Sequence, residues 1–178
     1  MPRYLALLGS INVGGNRLSM ADLRHALERE DFENVETVIA SGNVLFDHED
    51  RPVEGLAEKI AWIVDDRFDI RSFVAVRTRD QLAAAVAENP FVGDGAENLI
   101  HVHFLGGQPS AEQFDQLIAD QAARGPERLA PGTMALHIDF VEGAGNSKLT
   151  GAFLERRLGY KGTARNVRSI NRIIEKLP

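Results

Sequence analysis

Gly14-Gly15-Asn16 follows Ile11-Asn12-Val13, just after an apolar run at residues 4–8 and just before an amphipathic segment that opens at Ser19. A strand, a glycine pair and a helix start form an arrangement in which backbone N–H groups can converge on an anion. The glycine spacing is not that of a Walker loop, which ends in Gly-Lys-Ser/Thr, nor that of a dinucleotide fingerprint. No nucleotide or other cofactor is implied. The competing reading is a tight turn whose glycines take positive φ. Asn12 and Asn43 both sit where a strand meets a turn, and the sharper expectation sets them facing each other across one end of a sheet. Turn chemistry explains both equally well.

Cations that could complete such a site lie far along the chain. Lys148 is expected to open a helix at residues 148–158, and Arg165-Asn166 to open the next one. A cation at a helix N-terminus opposes the helix dipole unless an anion offsets it. Asn12, Gly14, Gly15, Asn43, Lys148, Arg165 and Asn166 are therefore the candidate ligand-binding set, with salt bridges to the chain's own carboxylates as the alternative for the two cations. A lesser candidate is a divalent metal on His101, His103 and His137. The first two alternate on one strand and share a face, and His137 with Asp139 is expected on that same face. Polar packing is the competing explanation. No Ser-His-Asp set and no Gly-x-Ser-x-Gly elbow can be assembled from the spacing, so no catalytic residue is named.

Elements that would position these residues follow from periodicity. Strands are expected at 4–8, 35–40, 44–47 and 73–76, and helices at 19–30 and 53–68, with 41–43 a hairpin turn. This is the β-α-β-β-α-β order of a split, ferredoxin-like unit. A linking helix at 78–88 starts on the capping box Thr78-x-x-Gln81 and ends at Asn89-Pro90. The order then recurs loosely: a strand at 99–105, a helix at 110–123 capped by Ser110-x-x-Gln113, a loop bracketed by Gly125-Pro126 and Pro131-Gly132, a strand at 134–139, the helix at 148–158, an extended piece at 162–165 and a closing helix at 167–177. The expectation for strand 99–105 puts Ile100, Val102 and Phe104 toward the helices. The fold class is α+β: two ferredoxin-like lobes in one compact body with mostly antiparallel sheets, a structural duplication. The first lobe takes residues 1–78, the linking helix and loop 79–97, and the second lobe, with a basic C-terminal helix, 98–178.

The 178 residues carry no cysteine, so disulfides, thiolate nucleophiles and cysteine zinc sites are excluded. No apolar run approaches the ~20 residues of a membrane span. Met1-Pro2-Arg3 runs straight into a short apolar strand, unlike a signal peptide, and the expected compartment is the cytoplasm. The net charge of −6 is uneven: residues 1–147 hold 12 basic against 24 acidic side chains, residues 148–178 hold 8 against 2. The basic tail either docks on the acidic body or marks an anionic partner. Arg168, Arg172 and Lys176 recur every fourth residue opposite Val167, Ile170, Ile174 and Leu177, which reads as a solvated helix face. Nucleic acid is a disfavoured partner because the acidic body would repel phosphates and no paired exposed aromatics mark an RNA-binding sheet.

Leu7-Leu8 with Ile11-Asn12-Val13-Gly14-Gly15 resembles the opening of a widespread bacterial family catalogued as domain-of-unknown-function family 1697. Met20-x-x-Leu23, Ser41-Gly42-Asn43-Val44, Arg77-Thr78, Asn89-Pro90-Phe91, His101-Val102-x-Phe104-Leu105, Ser147-Lys148-Leu149 and Thr163-x-Arg165-Asn166 follow in the family's order. The chain departs from the pattern at Gly9-Ser10, where Arg-Gly is usual, and at Val167, where Trp is usual. The resemblance implies a two-lobed α+β fold and no activity, substrate or catalytic residue. Three functions stay open: a protein binding a small phosphate- or carboxylate-bearing ligand between the lobes, an enzyme acting on such a metabolite, and a nucleic-acid-interacting module working through the basic helix.

Overall fold

Alternation along the first strand sends Tyr4, Ala6 and Leu8 to one face of a sheet and Leu5 and Leu7 to the other. In the computed structural model, which describes residues 1–11 and 17–178, these two sets lie on opposite faces of β1 (Arg3–Leu8). The chain continues through α1 (Met20–Glu28), β2 (Glu33–Thr37), β3 (Asn43–Asp47), α2 (Val53–Phe68) and β4 (Val74–Arg77). The sheet order is β2-β3-β1-β4, and every pairing is antiparallel. Tyr4, Ala6 and Leu8 join Leu23 and Leu27 of α1 and Leu56, Ile60, Ile63 and Val64 of α2 in one core. The opposite face is also buried, with Leu5, Leu7 and Leu45 fully inaccessible.

After α3 (Arg79–Glu88) the same order returns: β5 (Ile100–Leu105), α4 (Ala111–Ala122), β6 (Arg128–Pro131), β7 (Ala135–Asp139), α5 (Gly151–Leu158) and β8 (Gly162–Asn166). The order β6-β7-β5-β8 repeats that of the first sheet strand for strand. The expected duplication is thus present as two antiparallel four-stranded lobes. Both anticipated capping boxes form. Gln81 N donates to Thr78 Oγ1 while Thr78 N donates to Gln81 Oε1, and Ser110 and Gln113 do the same at α4. The closing helix α6 (Val167–Lys176) buries Val167, Ile170, Ile173 and Leu177 and leaves Arg168, Arg172 and Lys176 exposed. Ile174, expected in the apolar stripe, is only half-buried.

Two compact units emerge, one formed by Met1–Gln81 with Ile173–Pro178, the other by Leu82–Arg172. In the second, Leu105 of β5 and Leu136 and Ile138 of β7 pack with Phe114 and Leu117 of α4 and Phe153, Leu154 and Leu158 of α5. Register therefore corrects the expected facing of β5. His101 and His103 stand opposite Ile138 and Leu136, on the helix-covered face, while Ile100, Val102 and Phe104 occupy the other. No helix among the described residues is long and apolar enough to cross a membrane.

Candidate anion-binding site

β1 ends against the turn before β3. Leu7 is paired with Asn43, and Leu8 N donates to Gly42 O at 2.8 Å. Asn43 is buried at this end of the sheet, beside Gly42 at φ 93°. Asn12, Gly14 and Gly15 lie outside the described residues.

In the second unit, Arg165 of β8 is opposite Val102, the third residue of β5, just as Arg77 of β4 is opposite Leu5, the third residue of β1. The duplication thus places an arginine at the same register position twice. Burial pulls both guanidinium groups down, that of Arg165 to about 10, while Glu54 partly offsets the effect at Arg77. Arg165 Nη1 donates to Thr163 Oγ1 at 2.8 Å and to Ala164 O at 2.9 Å. Asn166 accepts Ser169 N at 2.8 Å through Oδ1, which caps α6.

Lys148 does not open a helix. α5 begins three residues later, with Thr150 as its cap accepting Phe153 N at 3.2 Å. Residues 140–150 instead turn sharply, through Val141 at φ 61°, Gly143 at φ 105° and a single 3-10 turn at Ala144–Asn146. This loop meets the turn that follows α4 and encloses a cavity of about 130 Å³ lined by Arg124, Gly125, Glu127, Glu142, Asn146 and Lys148, among others.

The wall of this cavity is built rather than incidental. Arg124 Nη2 and Thr150 N both donate to Lys148 O, at 3.2 and 3.1 Å, which fixes the lysine backbone. The Arg124 guanidinium lies 3.8 Å over the Phe153 ring. Such cation–π contact contributes about 0.5–1 kcal/mol at exposed sites. Glu127 accepts Ser147 Oγ at 2.6 Å and Gln121 Nε2 at 2.8 Å. Partial burial works against its ionisation, but the bonds from Ser147, its own backbone and Gln121, with Arg124 close by, outweigh that and hold its carboxyl below the usual range. Among the described residues, neither the Arg124 guanidinium nor the Lys148 ammonium has a carboxylate oxygen within 4.0 Å, although Arg124 is near enough to Glu127 to favour its charged form. Sequence reasoning found Lys148 and missed Arg124, whose signal was a cation just past a helix C-terminus, an ordinary dipole partner.

The histidines do not converge. His137 is opposite Val102, so its side chain leaves the sheet on the face away from His101 and His103. The expected shared face, and with it the three-histidine metal site, is corrected by register. Among the described residues no group of three or more His, Cys, Asp or Glu side chains is placed to hold a metal. Each histidine has its own role. His101 meets Phe140 edge-on at 4.7 Å. His103 is buried against Gly162, where an added Cβ would lie 2.5 Å from its Nε2. His137 Nε2 faces Glu88 Oε2 at 3.2 Å.

Glu88, the last residue of α3, ties down the β6–β7 hairpin. It accepts Thr133 N at 3.0 Å and Thr133 Oγ1 at 3.0 Å besides its contact with His137. Burial would raise its carboxyl, but these bonds prevail and lower it. Glu88→Gln is expected to cost about 1–2 kcal/mol, because the amide turns a donor toward groups that themselves donate. A urea midpoint unchanged from the parent would refute the assignment.

Taken together, two β-α-β-β-α-β lobes in tandem, each with an antiparallel 2-3-1-4 sheet, define a duplicated ferredoxin-like protein. The chain belongs to the family described as "Protein of unknown function (DUF1697)", which matches residues 1–136. The conserved bacterial protein SP0830 from Streptococcus pneumoniae has a similar fold, with a TM-score of 0.73 at 24% identity over 99% of this chain and 98% of that one. No curated protein matches the chain.

Proposed function

We propose that the chain is a cytoplasmic protein that binds a small phosphate- or carboxylate-bearing anion at the cavity between the turn after α4 and the 140–150 loop. One observation carries this reading: Arg124 and Lys148 line one small cavity, and among the described residues neither has a carboxylate oxygen within 4.0 Å. An anion there would receive charge-assisted hydrogen bonds, which are stronger than neutral ones. Asn146 adds an amide donor to the same wall. The lack of cysteine accords with a reducing compartment.

An enzyme acting on the same anion would draw its general base from Glu127 or Glu142. The bonds from Ser147 and Gln121 make Glu127 a weaker base than a free carboxylate, so binding is the reading adopted. Thermal unfolding in phosphate, sulfate and acetate tests it. A site saturated a hundredfold above Kd stabilises the fold by about 2.7 kcal/mol. Stabilisation by at least one of these anions at millimolar concentration, lost in Arg124→Ala with Lys148→Ala, is the expected result. Stabilisation by none of them, or stabilisation that survives both substitutions, would overturn the proposal.

A further inference from the structure

We infer that the anion of this site is one end of a small zwitterion, a carboxylate with an ammonium group a few bonds away, as in a small α-amino acid. The inference rests on the anion-binding reading and adds the other half of the wall. Facing the cavity with Arg124 and Lys148 are two carboxylates, Glu127 and Glu142. A wall of two positive and two negative side chains carries no net charge. A multiply charged anion would be attracted by one half and repelled by the other at distances far inside a Debye length. A ligand that divides its own charges in the same way meets attraction on both sides.

In the acidic half Glu127 is held in place by its neighbours. Ser147 and Gln121 each give one hydrogen bond to Glu127, one on each carboxylate oxygen. A carboxylate offers about four acceptor positions, and with its own backbone N–H also bonded to it Glu127 keeps one for a ligand ammonium. Gly125 makes room for this: a Cβ there would run into Glu127 Oε2. Glu142 is exposed and follows Val141, whose positive φ turns the chain at the end of β7. The cavity volume of about 130 Å³ falls well below the ~300–1,000 Å³ of pockets for drug-sized ligands, which suits a ligand of a few heavy atoms.

Calorimetric titration of the full chain with alanine, propionate, ethylamine and inorganic phosphate separates the possibilities. Alanine is expected to bind about tenfold more tightly than propionate or ethylamine, the value of one charge-assisted hydrogen bond. Glu127→Gln is expected to weaken alanine several-fold and leave propionate unchanged. Glu142→Gln does the same without touching the bonds to Ser147 and Gln121, so it reads the acidic half even where Glu127→Gln misfolds. Lys148→Ala weakens both ligands. Propionate or phosphate binding as tightly as alanine, and lost in Lys148→Ala, would overturn the zwitterion while sparing the anion site. Binding of none of the four would remove both.

Discussion

Between pH 6.5 and pH 4 the chain is expected to lose about 3 kcal/mol of stability through His103 alone. Its imidazole is desolvated on the helix-covered face of β5, and burial lowers it from 6.5 to about 4. The sign follows from proton uptake. Over that range the unfolded chain binds a proton at His103 and the folded chain does not, so acid favours unfolding. Each pH unit between the two values contributes about 1.4 kcal/mol. The loss begins near 6.5 and is complete below 4. Burial also lowers His101 and His137, which add to it in the same direction. Asp47, Glu88 and Glu127 are lowered as well, and their contribution is lost as the pH falls from their ordinary values, 3.8 for the aspartate and 4.5 for the glutamates, downward. Urea midpoints at pH 7, 5.5 and 4 for the parent and for His103→Leu would show the effect, since the leucine variant has nothing to titrate at that position. Equal acid losses in both chains would rule His103 out.

Phe153→Ala is expected to cost about 3–5 kcal/mol, the range for removing a buried phenylalanine. Phe153 is buried in the cluster beneath β5 and β7 with Leu149, Leu154 and Leu158. Its ring also carries Arg124 at 3.8 Å and Arg157 at 4.9 Å. Stability and ligand binding thus share one side chain. Phe153→Leu separates them: most of the apolar volume stays, while the face that holds the Arg124 guanidinium is gone. That variant is expected to unfold close to the parent yet bind its anion several-fold more weakly. Unchanged affinity in a folded Phe153→Leu chain would show that Arg124 needs no ring to hold it.

Element order was largely legible because the helices are amphipathic and most strands are short apolar runs bounded by turn residues. The residues 53–68 read as a helix from one apolar stripe, and α2 occupies just that span. β6 was read as a loop for a physical reason. It has four residues, ends on Pro131 at a sheet edge and has no buried position, so no alternation announces it. The facing of β5 was inverted because both faces of that strand are buried. Alternation distinguishes buried from exposed faces, and here it had nothing to distinguish. In the candidate site, Lys148 was marked by its charge beside Ser147, but the helix it was thought to open is capped by Thr150. Arg124 and Glu127 could not be joined to it from sequence, because the whole β6–β7 hairpin separates them from the loop they meet.

Residues 173–178 belong to the same compact unit as residues 1–81. During synthesis this reverses the usual order of completion. The second unit has all its residues once Arg172 has been added, whereas the first, begun before it, waits for residues 173–178. Ile173, wholly buried, and Leu177, nearly so, are the side chains for which it waits. Until they arrive, the apolar surface they cover is open to other chains, so a unit begun before its neighbour is sealed after it.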